Sequence, residues 1–398
     1  MDLTGLRLNL ISNTILGIIF LPFSLYVLKG LIQNRKALFD DDLTAADRRQ
    51  LKQIAIFVLL PIIVLLHELG HVIACLHYGV HITGFNWSLF WGEVSWKGPY
   101  PEGAPAVIAL AGTVFQLIAG TIALVIAFLS RSPSIVALST YTYLLSGLSS
   151  LIFYPVISLV SWSEDFPEIY GSGDPKLVWL TAIVHLILAW GFVYSYFSNR
   201  TRLLFVKKTR PIWAREYEKN KAAAEKEGNA MAYLALAWQY YYVGLDNLSE
   251  KTIQKAEAID ESNLDVWLLR GYIMQSQNKF DTADICFSRI TDGNADTTLK
   301  ARAFMARGHC YFEKESEKKS KDLQRALDSY KQAALSAKDL ADPHYYLAVV
   351  HKEAGRPEEA ADELRICLNA QKQGLNWLDP VLANLAREAF QEFKKTAK

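Results

Sequence analysis

The chain has 398 residues, too many for one ordinary core, and a formal net charge of +1, which leaves no basic surplus and excludes nucleic acid as a partner. Hydrophobic residues make up 51% and charged residues 21%, yet the two are segregated, with long apolar runs in the first half and most Lys and Glu in the second. That split predicts a membrane-embedded part over 1–198, a charged linker over 199–229 and a soluble part over 230–398.

The N-terminal run MDLTGLRLNLISNTILGIIF has no small-residue cleavage site and reads as a retained anchor. Crossing a bilayer takes about 20 mainly apolar residues, because lipid offers no partner to a backbone N–H or C=O. About five stretches qualify: Leu10–Leu28, Ile54–Tyr78, Ala106–Leu129, Ile135–Trp162 and Leu177–Phe197. Pro155 in the fourth predicts a kink or early unwinding. Lys and Arg gather after the first span (Arg35, Lys36, Arg48, Arg49, Lys52) and after the fifth (Arg200, Arg202, Lys207, Lys208, Arg210), which puts the C-terminal half in the cytosol. The four cysteines, Cys75, Cys286, Cys310 and Cys367, lack CxxC spacing and read as buried small hydrophobes in a reducing space.

The second span holds His67-Glu68-Leu69-Gly70-His71, an H-E-x-x-H. Histidines at i and i+4 share one helix face, where both imidazoles reach a single divalent ion, and the intervening Glu stands beside them to accept a proton from the attacking water. Three ionisable residues within five positions of an apolar span need a compensating charge, and a bound cation supplies it. On these residues the segment FVLLPIIVLLHELGHVIACLHYG resembles the catalytic helix of the site-2-protease family, intramembrane zinc metalloproteases that cut membrane-anchored proteins. The likeness runs over about residues 50–175.

That resemblance implies Zn2+ held by His67 and His71, Glu68 as general base, and an aspartate from a later span as third ligand. The acidic candidates are Glu164, Asp165, Glu168 and Asp174. Asp165 is preferred, because the second and fourth spans run parallel if each connection crosses once. The stretch SEDFPEIY lacks the family's Asp-Gly pair, which keeps Asp174, within Gly173-Asp174-Pro175, as the alternative. The family's Gly-Pro-x-x-Asn element corresponds to Gly112 and Gln116 in the third span, implying that they position substrate or polarise its carbonyl; Gln116 reads equally as a polar bundle residue.

Between the second and third spans, Phe85, Trp87, Leu89 and Trp91 alternate, Gly92 permits a turn, and Val94 and Trp96 alternate again, which predicts a short membrane-associated β-hairpin. The family has a comparable hairpin beside its catalytic helix, implying an edge on which an unwound substrate segment can pair as a strand. His77, His81 and His185 lie outside the motif and read as interfacial or bundle histidines.

Beyond the linker the chain is repetitive. With Gly271 as the small residue where two helices cross, Trp267, Phe280, Ala283 and Phe287 take matching places, and one 34-residue unit earlier stand Ala237, Tyr233, Tyr240, Gly244 and Ala256. Two looser copies contain Gly308, Tyr311, Ala326, Tyr330 and Ala333 after a Lys- and Glu-rich insertion, then Leu347, Ala348, Gly355, Ala360 and Leu364, with a capping helix from Val381 to Phe393. About 165 residues thus resemble the tetratricopeptide family, implying a protein-binding surface. His309, His344 and His351 read as repeat-surface residues.

The expected fold is all-α: a polytopic transmembrane bundle with a short hairpin, followed by an α-helical repeat solenoid. The expected function is zinc endopeptidase cleavage of membrane-anchored protein substrates, with cytosolic repeats that recruit a protein partner. The rivals are a non-catalytic membrane scaffold displaying the repeats and a metal transporter.

Overall fold

A computed structural model describes residues 3–40, 43–161, 165–314 and 319–396, and among them the only strands form one hairpin. The chain separates into two units, Met1–Arg215 and Glu216–Lys398. The first holds α1 (Leu3–Leu38), α2 (Ala45–Ile54), α3 (Leu60–His77), strands β1 (His81–Trp87) and β2 (Gly92–Lys97), and α4 (Ala104–Leu129). It continues with α5 (Pro133–Leu148), α6 (Tyr154–Ser161), α7 (Asp165–Tyr170), α8 (Pro175–Phe197) and α9 (Asn199–Thr209), and α10 (Pro211–Glu227) runs across the division. Start signals are local: Thr44 and Asp47 form a reciprocal capping box at α2, and proline occupies the first turn of α4, α5 and α8.

Five helical stretches are long and apolar enough to cross a membrane: Gly17–Leu38, Ala45–His77, Ala104–Leu129, Pro133–Ser161 and Pro175–Phe197. They turn large apolar side chains outward, as at Trp179, Leu186 and Trp190 on α8, each exposed by 69–70%. A water-facing helix of this kind would carry a heavy hydrophobic penalty.

Two of the long helical stretches widen just before a proline. Ala55–Leu59 and Ser149–Phe153 are π-turns, each ending two residues before its proline, Pro61 or Pro155. A proline clashes with the carbonyl four residues back and offers it no N–H; the wider turn relieves the clash. The kink expected at Pro155 takes this form, and the Leu151 carbonyl, which would face the missing N–H, accepts a hydrogen bond from His185 Nε2 at 3.0 Å. Where α4 ends, Lys208 of α9 donates to the carbonyls of Ala127 and Ser130 at 3.1 and 3.0 Å, capping four otherwise orphaned acceptors' end of the helix with a cation.

The hairpin departs from expectation at its turn. Ser88 N–H donates to the Trp91 carbonyl at 2.8 Å, and Leu89 takes the left-handed conformation (φ 66°), so the reversal lies at 88–91 and Gly92 opens β2. Trp87 Nε1 donates to the Pro61 carbonyl at 3.2 Å, which ties the hairpin to α3.

The second unit stacks helical repeats: α11 (Ala230–Tyr242) with α12 (Asp246–Ile259), α13 (Leu264–Ser276) with α14 (Phe280–Thr291), α15 (Thr297–Glu313) with α16 (Lys319–Ser336), and α17 (Asp342–Glu353) with α18 (Pro357–Leu368), closed by α19 (Pro380–Thr396). Small residues stand where paired helices cross, because a Cβ on Gly271 would come 2.6 Å from Phe287 Cζ, and one on Gly308 equally close to Tyr330 Cζ. Apolar layers then run through the array, joining Leu269 and Ile273 to Ile253, and Leu347 and Val350 to Tyr330. Residues 315–318, the core of the predicted insertion, lie outside the described residues.

Of the tail histidines read as surface residues, His351 is buried and the other two are half-buried and held by partners. His344 pairs with Glu363 at 2.7 Å, and His309 lies between the Tyr330 hydroxyl, 2.8 Å from its Nδ1, and the face of Tyr346. Helical periodicity on its own could not distinguish an outward position from one closed by the next repeat. Burial lowers the His309 pKa from 6.5 to about 4, so between those values the unfolded chain binds a proton that the folded chain refuses. Stability is therefore full above pH 6.5 and lost as pH falls towards 4, by roughly 3 kcal/mol from this group. Chemical unfolding of the repeats at pH 7 and 4.5 should show that slope, and His309→Gln should flatten it; an unchanged slope in the variant would refute the assignment.

Candidate metal centre

The site is built where α3 and α4 cross. A Cβ on Gly70 would come 2.6 Å from the Ala111 carbonyl, so glycine there lets the two backbones touch. The close approach sets the H-E-x-x-H face of α3 directly against Gly112 and Gln116 of α4, and His67, Glu68, His71 and Gln116 are all buried.

Asp165 comes to the same face from the start of α7. That short helix is pinned to α4 by Phe166 and Ile169, which pack on Ala109, and Phe166 N–H donates to Ser158 Oγ at 3.2 Å. One carboxylate oxygen, Asp165 Oδ2, lies 3.1 Å from His67 Nε2 and 3.3 Å from His71 Nε2. Of the other acidic candidates, Asp174 caps α8, accepting from the Lys176 N–H at 2.9 Å; Glu168 is exposed; and Glu164 lies outside the described residues.

Both imidazoles are oriented from behind. His71 Nδ1 donates to the Ile108 carbonyl at 2.7 Å and His67 Nδ1 to Gln116 Oε1 at 3.1 Å, which leaves each Nε2 with its lone pair facing Asp165. Three acceptors thus converge, with one ligand atom from each residue inside 4.8 Å. Such a convergence is repulsive unless positive charge stands among them. The donor set of two imidazoles and one carboxylate fits Zn2+ with an open fourth position. Space fits too: a Cβ on Gly112 would lie 2.6 Å from His67 Nε2 and closer still to His71 Nε2, filling the cradle that the glycine leaves open.

Sequence reasoning missed several of the neighbours. Tyr154 donates to Asp165 Oδ2 at 3.0 Å and stands edge-on to His67, with ring centroids 5.3 Å apart; Trp96 stacks on His71 at 6.4 Å. Gly92 was read as a turn glycine, but a Cβ there would come 2.5 Å from Glu68 Oε1, so its smallness makes room for the carboxylate. No pattern in the chain links positions so far apart. A cavity of about 190 Å³ opens between the hairpin tip and the π-turn before α6, lined by His67, Glu68, Gly92, Gln116, Phe153 and Tyr154. Gln116 Nε2 is buried there without a hydrogen-bond partner among the described residues. Gln116 therefore orients a histidine with its oxygen and presents an unmatched donor with its nitrogen.

In the second unit, the first helices of the first two repeats carry a ring cluster. Trp238 lies 5.6–5.9 Å from Tyr241, Tyr242 and Tyr272, and the Arg302 guanidinium stands 6.0 Å over Trp238. Tyr242 is exposed, while Trp238, Tyr241 and Tyr272 are half-buried against the repeat cores.

No protein-family model matches the chain, and no curated protein does. Among solved structures it is similar to MamA: one crystal structure of MamA is 17% identical over 42% of this chain and 93% of its own length, with a TM-score of 0.33. A second MamA crystal structure is 15% identical over 44% of this chain and 94% of its own, also with a TM-score of 0.33.

Proposed function

We propose that the protein is a membrane-embedded zinc endopeptidase that cuts membrane-anchored proteins, with helical repeats that bind a protein partner. The reading rests on one observation above the others: two imidazole lone pairs and a carboxylate, each supported from behind, converge beside a buried glutamate on a helix long and apolar enough to cross a membrane. His67, His71 and Asp165 would hold the ion. Zinc bound there supplies Lewis acidity towards a peptide carbonyl and makes a nucleophile of water near neutral pH.

The chain's own groups supply the rest. Glu68 takes the proton from the attacking water at its carboxylate and returns it to the leaving amine. Gln116 Nε2, the unmatched donor of the cavity, hydrogen-bonds a carbonyl of the substrate backbone. Phe90, Trp91 and Gly92 of the hairpin tip line the cavity beside Glu68, and its volume of about 190 Å³ suits an extended segment rather than a helix. Outward apolar faces on the five long helices support placement in a bilayer, with the repeats on the cytosolic side by the Lys and Arg bias.

A second reading, a non-catalytic scaffold that displays the repeats, is favoured by the repeat unit itself, which packs α19 on its fourth helix pair and carries the ring cluster. Zinc content separates the two. The full chain purified in detergent should carry about one zinc per molecule, and His67→Ala about none. A metal-free wild type after zinc addition would leave the scaffold, and several ions per chain would favour transport.

A further inference from the structure

We infer that Tyr154 is a positioning residue of the metal centre, setting the carboxylate of Asp165 on which the two histidines converge. The inference rests on the proposed zinc reading and extends it to a residue outside the H-E-x-x-H helix and outside the acidic loop.

The local chain explains how Tyr154 reaches the site. The π-turn Ser149–Phe153 holds one more residue than an α-turn would, so every side chain after it is rotated by about a quarter turn or more relative to an uninterrupted helix. Tyr154 is the first residue after that insertion, and Pro155, which calls for the wider turn, follows at once. Without the insertion Tyr154 would point to another face of the helix. With it, the hydroxyl donates to Asp165 Oδ2 at 3.0 Å while the ring stands against His67 on one side and Phe166, the anchor of α7, on the other at 5.8 Å.

Asp165 is the first residue of a helix of only six, so its backbone alone does little to hold the carboxylate's rotamer. The oxygen that faces His67 and His71 is the one that Tyr154 binds. A carboxylate oxygen has lone pairs to accept the tyrosine hydroxyl and still face the cradle, and the hydroxyl fixes which way the group turns. Supporting hydrogen bonds of this kind commonly carry a 10–100-fold share of metal affinity.

The test uses full-length protein in detergent and Zn2+ or Co2+ alone as probe, so it needs no substrate. Tyr154→Phe keeps the ring and removes only the hydroxyl. Zinc affinity, measured by competition with a chelator, should weaken by about 10–100-fold, and the visible bands of the Co2+-loaded protein should change shape, because they report coordination geometry. Thermal unfolding of the metal-free variant, compared with metal-free wild type, reads any loss of folding separately. Wild-type affinity and an unchanged cobalt spectrum in Tyr154→Phe would overturn the inference while leaving the zinc reading intact. A wild type that binds neither ion removes the zinc reading itself.

Discussion

Gly112→Ala should all but abolish zinc binding in a protein that still folds. The added methyl would stand 2.6 Å from His67 Nε2 and closer still to His71 Nε2, where the two lone pairs point. The rings cannot retreat freely, since His71 is tied to the Ile108 carbonyl and His67 to Gln116. A methyl group therefore competes for the ion's own space, and the loss should exceed the effect of removing a supporting bond, reaching ~100-fold or more in affinity. Isothermal titration with Zn2+ and the helical signal of the metal-free protein measure both halves of the expectation. Affinity within a few-fold of wild type would show that the cradle lies elsewhere.

Glu68→Gln should leave zinc in place and remove cleavage. The amide matches the carboxylate in size, so it fits beneath Gly92, where a side chain on the hairpin would already collide with Glu68. The amide cannot accept the water's proton, and loss of a general base costs roughly 10²–10⁴-fold in rate. Zinc per chain, and the appearance of fragments from a membrane-anchored reporter co-reconstituted with the protein, are the two readouts. Cleavage at the wild-type rate with zinc retained rules out Glu68 as the base. Zinc lost along with cleavage would instead make Glu68 part of the ion's support.

The contrast between the two variants bears on how the site is divided. On the proposed reading, Gly112 would shape a space and touch no proton, whereas Glu68 would move a proton and leave the space alone. Their different effects on metal content would separate binding from chemistry, which a simple loss of activity would not.

Local chemistry in the chain was enough to reveal the helical class, the five long apolar stretches and the repeats, because each is written as a short-range period or a run of one kind of residue. The pair His67 and His71 was legible for the same reason: a helix brings i and i+4 to one face whatever surrounds it. Small residues at helix crossings, Gly271 and Gly308, were legible because a repeating unit states its own spacing.

The chain order favoured Asp165 by the direction of the spans but left Asp174 open, since the two stand nine positions apart in one acidic stretch. Tertiary contact decided it: Phe166 and Ile169 anchor α7 to α4 and swing Asp165 inward, while Asp174 spends its oxygen on the start of α8. The same holds for Gly92, whose missing side chain answers to a glutamate 24 residues earlier, and for Tyr154, turned to the site by an inserted residue. A helix or strand period describes which face a side chain takes, and it carries no information about what the opposing element will bring to that face.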